Sequence, residues 1–275
     1  MPTLNTFGAR VSYLRSGVGD AVLLIQGVGA IGKAWRPQVD ALSQRYSVIT
    51  FDNRGIGASP HTAGALTIEA MADDALAILN AEGINRCHVV GHSMGGLIAA
   101  QLALMSPRRV KSLALLCTFP DGKSGSRLTH DTFFTGMRTR IGTRAMRRKA
   151  FLSLVLSKAG MEDSTRPGLE ATMAELFGRD LADQPPIIMR QLRAMSRYDA
   201  KWRLRFLASI RTLVVSGERD RIARPEYGRA LAAAIPGAEY VEVANAAHAV
   251  PIESPDVVNR LLAEHLRDAT RQVAS

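Results

Sequence analysis

A chain of 275 residues with 47% hydrophobic and 22% charged side chains has the size and composition of a large globular α/β protein, which excludes fibrous, low-complexity and disordered classes. The net charge of +10 raises nucleic acid, anionic lipid or an acidic small molecule as partners, but residues 119–205 hold 17 Lys and Arg against 9 Asp and Glu, which leaves only +2 elsewhere. No stretch reaches the roughly 18 apolar residues of a membrane span, and Cys87 and Cys117 stand inside apolar runs, so a cytoplasmic protein with reduced, core-filling thiols and no membrane insertion is expected.

From the N-terminus, the apolar runs "ARVSYL" and "AVLLIQ" predict two strands. The second feeds Gly27-Val28-Gly29-Ala30-Ile31-Gly32, by letter the G-x-G-x-x-G of dinucleotide-binding folds, and Asp52 follows twenty positions after Gly32, where a ribose-binding carboxylate would stand. Pro37 argues against that assignment. Proline is tolerated only in a first helical turn, so the helix "PQVDALSQ" starts near Arg36 and residues 29–35 form a loop, with no helix N-terminus at the glycines to receive a pyrophosphate. No nicotinamide cofactor is expected.

"YSVITFD" predicts the next strand, and Thr67 caps a helix that Gly83 stops. "RCHVVGHSMGGLIAAQ" then places Gly91-His92-Ser93-Met94-Gly95 between a strand and a helix, the one context in which G-x-S-x-G carries chemistry. Ser93 falls on a sharp turn that brings strand and helix close, and Gly91, Gly95 and Gly96 supply the missing bulk. After the strand "VKSLALLC" the alternation stops. Helical patterns without a convincing strand run over 128–141, 143–159, 167–180 and 186–207, punctuated by Gly142, Gly160, Pro167 and Pro185-Pro186. This predicts a helical cap subdomain, 119–205, inserted between two strands of a core formed by 1–118 and 206–275. Its basic run "RTRIGTRAMRRK" lacks interleaved aromatics and reads as a solvated helix face, so no nucleic-acid partner is expected. The strand "RTLVVSG" leads to Asp220, Pro225 opens a helix that ends near Pro236, and "AEYVEVA" leads to His248.

Ser93, Asp220 and His248 thus follow three strands in the order of the α/β-hydrolase triad. With "FDNRGIGAS" and "MSPRRVKSLALL", the chain resembles the α/β-hydrolase family, in particular its esterase, lactonase and haloperoxidase-like members, over residues 8–118 and 206–268. The resemblance implies an α/β fold with a mostly parallel central sheet flanked by helices and a helical cap. It implies Ser93 as nucleophile, His248 as general base and Asp220 as the residue that orients it, with Asp121 the rival for the acid because some members use the position after the preceding strand. The backbone N–H groups of Val28 and Met94 correspond to the oxyanion donors, although Gln26 replaces the histidine usual before the glycine. His92 is expected to point away from the chemistry, and His61, His88, His130 and His265 to be structural. The expected substrate is a small-molecule ester, lactone or thioester, with an anionic group favoured by the basic insertion, and no cofactor or metal is expected. Carbon–carbon bond hydrolysis, perhydrolysis, acyl transfer and a ligand receptor without turnover are the alternatives on the same residues.

Overall fold

The computed structural model describes residues 2–6, 8–60, 65–126, 129–162 and 168–274; His61 and Pro167 lie outside them. Its strands are β1 (Thr3–Thr6), β2 (Ala9–Ser16), β3 (Asp20–Ile25), β4 (Tyr46–Phe51), β5 (Cys87–His92), β6 (Val110–Leu116), β7 (Arg211–Gly217) and β8 (Glu239–Val243). They form one sheet in the order β1-β2-β4-β3-β5-β6-β7-β8. β2 is antiparallel to β1 and β4, and every pairing from β4 to β8 is parallel. The apolar runs β3, β5, β6 and β7 are buried almost throughout, as strands covered on both faces must be. β1 escapes sequence reading because "TLNT" is a four-residue edge strand with half-exposed or exposed side chains and no apolar signal.

The chain leaves β3 for β4 on one side and returns to β5 on the other. Right-handed crossovers therefore put α1 (Arg36–Leu42) on the opposite face from α2 (Ile68–Ala81) and α3 (Met94–Met105), and the loops after β3 and β5 part to leave a crevice at their carboxyl ends. Thr67 Oγ1 accepts from Ala70 N–H at 3.1 Å and Gly83 follows α2 at φ 65°, as the capping pattern predicts. α1 does begin at Arg36, but a 3₁₀ turn, Gly32–Trp35, precedes it where a loop was expected. The Asp52 carboxylate occupies the start of that turn: Gly32 N–H donates to Oδ1 at 2.7 Å and Ala58 N–H to Oδ2 at 2.9 Å. Asp52 is thereby committed to holding two loops together.

Between β6 and β7 lie α4 (Gly122–Ser126), α5 (His130–Arg138), α6 (Arg144–Val155), α7 (Lys158–Glu162), α8 (Leu169–Phe177) and α9 (Ile187–Arg197). The helix expected over 186–207 is broken after Arg197, and Lys201–Leu207 is a separate 3₁₀ segment. Tyr198 causes the break. It is buried and extended, its hydroxyl donates to Gln101 Oε1 on α3 at 2.9 Å, and its carbonyl accepts from Gly122 N–H at 2.9 Å. α10 (Pro225–Ala234), α11 (Val250–Glu253) and α12 (Pro255–Ala274) complete the chain. Among the described residues no helix is long and apolar enough to cross a membrane.

Buried histidines, His88 and His265 in the core among them, make stability depend on pH. His88 bonds Ser112 Oγ through Nδ1 at 2.8 Å, and burial pushes both His88 and His265 down to about 4. An unfolded histidine takes its proton near pH 6.5, so between about pH 6.5 and 4 the unfolded chain binds more protons than the folded one. Stability present above pH 6.5 should fall by about 2 to 5 kcal/mol as pH drops toward 4. Thermal unfolding should show a steady loss of Tm from pH 6.5 to 4.5, and His265→Gln should flatten the slope.

Candidate active site

β5 ends at His92, and α3 starts immediately after Ser93, whose φ of 55° and ψ of −122° place it in a region costly for a non-glycine residue, by about 1 to 3 kcal/mol. The crossing is tight: a Cβ on Gly91 would stand 2.2 Å from Gly95 O, and one on Gly95 would stand 2.1 Å from Ile25 O. β6 and the residues after it hold the strained serine, with Ser93 N–H donating to Leu116 O at 2.9 Å and Thr118 Oγ1 donating to Ser93 O at 2.6 Å. The G-x-S-x-G spacing is therefore a steric requirement of this turn.

The loops after β7 and β8 bring Asp220 and His248 to Ser93. His248 Nε2 lies 3.0 Å from Ser93 Oγ, and His248 Nδ1 lies 2.8 Å from Asp220 Oδ2. A carboxylate only accepts, so Nδ1 carries the ring proton and Nε2 is free to take that of the serine. Burial alone would raise the pKa of Asp220. The charge and hydrogen bond of His248, with the N–H groups of Ile222 and Ala223 on Oδ1 at 2.8 and 2.9 Å, outweigh it and hold the carboxyl below its ordinary value. Asp121 is engaged elsewhere: its oxygens accept from Ser124 N–H at 2.7 Å and Ser124 Oγ at 3.2 Å, at the start of α4.

His92 does not point away. It lines the cavity, its Nε2–H donates to the His248 carbonyl at 2.8 Å, and its ring centroid is 5.0 Å from that of His248. Burial, with the nearby His248, pushes it down to about 3, so it stands as a neutral donor that positions the His248 backbone. Cys117 joins these two histidines in a group whose potential ligand atoms lie within 4.8 Å of one another, a juxtaposition invisible in sequence spacing. Both ring nitrogens of His248 are already engaged by Ser93 and Asp220.

The loop after β3 completes the arrangement. A Cβ on Gly27 would stand 2.9 Å from Ser93 Cβ, so the loop that carries Val28 runs beside Ser93. Gln26 is buried, its carbonyl accepting from Asn53 Nδ2 at 2.8 Å and its side-chain oxygen from Gly27 N–H at 3.2 Å, so the loop is held without the histidine usual before the glycine. Two residues of the insertion clamp Gly29: Gln191 Oε1 accepts its N–H at 2.9 Å, and Arg179 Nη1 donates to its carbonyl. Among the described residues the N–H groups of Val28 and Met94 have no protein acceptor, the latter because it opens α3. Sequence reasoning missed Arg179, Gln191 and Asn53, whose loop partners lie 150, 162 and 27 positions away, with no motif to link them.

These groups floor a cavity of about 860 Å³, walled by Phe133 and Met137 of α5 and by Ile188 and Leu192 of α9. Such a space takes a small molecule, and one carbonyl could meet Ser93 Oγ and the two unpaired N–H groups together.

The family described as alpha/beta hydrolase fold matches residues 20–255. A protein of Azorhizobium caulinodans that carries the name carbamate hydrolase RutD is 31% identical over 268 residues, covering 95% of this chain and 97% of its own. The enol-lactonase from Burkholderia xenovorans LB400 superposes with a TM-score of 0.81 at 27% identity, over 97% of this chain and all (100%) of that one. A thermophilic esterase from Thermogutta terrifontis superposes with a TM-score of 0.78 at 25% identity, over 95% of this chain and 94% of its own.

Proposed function

The chain belongs to the alpha/beta hydrolase fold family, and from that premise we propose that it is a serine hydrolase cleaving a carboxylic ester or lactone through an acyl-enzyme on Ser93. The observation that carries this reading is the unbroken chain from Asp220 through His248 to Ser93 Oγ, at 2.8 and 3.0 Å, on the floor of an apolar cavity. Ser93 Oγ attacks the carbonyl carbon as its proton passes to His248 Nε2, while Asp220 stabilises the resulting imidazolium. Negative charge grows on the carbonyl oxygen, where the N–H groups of Val28 and Met94 receive it. Collapse expels the alcohol, which takes the proton from His248. A water molecule, deprotonated by the same nitrogen, then attacks the acyl carbon and returns Ser93 with release of the acid. The helices of 119–205 act as a cap over the substrate.

The test is pre-steady-state kinetics on p-nitrophenyl esters beside a panel of lactones, carbamates and vinylogous ketones. The reading expects one equivalent of p-nitrophenol released in a burst, then cycling, with the highest kcat/KM among esters or lactones. Turnover confined to carbamates or to carbon–carbon cleavage would overturn it, and a single turnover without cycling would mark a receptor.

The loop after β3 supplies a separate expected result. Val28→Pro deletes one N–H and should lower kcat by about 10²- to 10³-fold, whereas Val28→Ala keeps it and should cost far less. The comparison uses steady-state kcat, with equal Tm showing that proline has left the fold intact.

A further inference from the structure

We infer that Arg179 forms a carboxylate-binding subsite in the cavity, so that the preferred substrates are esters or lactones carrying a free carboxylate. This rests on the ester-hydrolase reading above and names its substrate class. The cavity is lined by Arg140, Arg179, Arg190 and Arg193, and no Asp or Glu lines it among the described residues. Two arginines of α6 are different: Arg144 pairs with Asp180 and Asp183, and Arg148 with Asp180 and Glu170. None of the four cavity arginines has a carboxylate within ion-pair distance among the described residues, although the insertion offers acids elsewhere.

Arg179 stands apart from the other three because it is half-buried while they are exposed. Exposed arginines at a rim are screened by salt and orient nothing firmly. Gly178, left-handed at φ 66°, closes α8, and Arg179 N–H bonds Ala174 O at 3.1 Å, so the backbone is fixed. The side chain is fixed too: Nε donates to the Asp183 carbonyl at 3.1 Å, Nη1 to the Gly29 carbonyl, and the guanidinium lies 5.6 Å from the centroid of the Phe177 ring. Nη2 has no acceptor among the described residues and lies 3.3 Å from where a Gly29 Cβ would stand, beside the loop that carries Val28. Burial lowers the pKa of Arg179 by more than the nearby Asp183 charge raises it, so its counter-charge is incomplete.

A guanidinium immobilised through two nitrogens, with the Asp183 carboxylate near but beyond ion-pair distance, has room for a direct anionic partner. A carboxylate fills that place with a charge-assisted hydrogen bond. Beside Arg179 the wall is apolar, with Ile188 within 3.1 Å of a Gly29 Cβ.

The experiment compares kcat/KM for monomethyl and dimethyl esters of the straight-chain dicarboxylic acids from succinate to suberate, in the parent, Arg179→Gln and Arg179→Lys. At the best chain length the parent should prefer the monoester by roughly 10- to 100-fold, the size of one hydrogen bond to a charged group. Arg179→Gln should abolish that preference, and Arg179→Lys should keep part of it. Both variants also disturb the Gly29 clamp, so the reading is the monoester-to-diester ratio. An equal fall for both esters would mean that Arg179 is only a clamp, and overturns the inference. So would a parent without preference, or a preference that survives Arg179→Gln and disappears at about 0.5 M salt, which would belong to the exposed arginines. If neither ester is hydrolysed, the ester reading fails by itself. Calorimetric titration of the same monoesters and diesters into parent and Arg179→Gln then decides the subsite, a monoester preference lost in the variant supporting it and equal binding of the two overturning it.

Discussion

Ser93→Ala is expected to lower kcat on esters by about 10⁴- to 10⁶-fold without unfolding the protein. Alanine removes only Oγ and leaves the tight crossing of β5 and α3 as it is, because the steric demand there falls on Gly91 and Gly95. His248→Ala should cost nearly as much, and the double variant hardly more, since groups that act in one proton transfer are lost together. Steady-state kcat with Tm for all three variants checks this. Retention of more than about one per cent of kcat in Ser93→Ala would remove the serine from the chemistry.

Asp220→Asn is expected to lower kcat by about 10⁴-fold, whereas Asp121→Asn should stay within several-fold of the parent. The difference follows from which atoms each carboxylate meets. Asp220 Oδ2 faces His248 Nδ1, and an amide that turns its NH₂ there would force the ring proton onto Nε2, where it blocks acceptance from Ser93. Its Oδ1 is already held by two backbone N–H groups, which leaves Oδ2 as the position for the amide nitrogen. Among the described residues the Asp121 carboxylate meets only Ser124, whose N–H an asparagine Oδ1 can still accept, so the variant should lose less than about 1 kcal/mol of stability. A larger kinetic loss at 121 than at 220 would reverse the assignment.

The core strands were legible because burial on both faces imposes continuous apolar runs, and the turn at Ser93 was legible because its sterics impose glycines. The positions of Asp220 and His248 followed from their place after strands in a parallel sheet, where loops at the carboxyl ends converge. Elements governed by distant contacts were not legible. The 3₁₀ turn at Gly32 exists because Asp52 accepts its first N–H, and the break after Arg197 because Tyr198 reaches Gln101 on α3. The inward position of His92 depends on a carbonyl 156 positions away. The basic surplus of the insertion was plain in the sequence, but not its division: Arg144 and Arg148 of α6 are paired with carboxylates, and among the described residues the arginines around the cavity are not.

The claim on which the rest depends is that Ser93 is the nucleophile. Incubation with a fluorophosphonate, intact-mass analysis and peptide mapping test it most directly, because the reagent forms a stable adduct with a serine activated by a neighbouring base. The account predicts one adduct per chain, on Ser93, absent from Ser93→Ala and strongly slowed in His248→Ala. An adduct on a different residue, or none from protein that is hydrolysing esters, would contradict it.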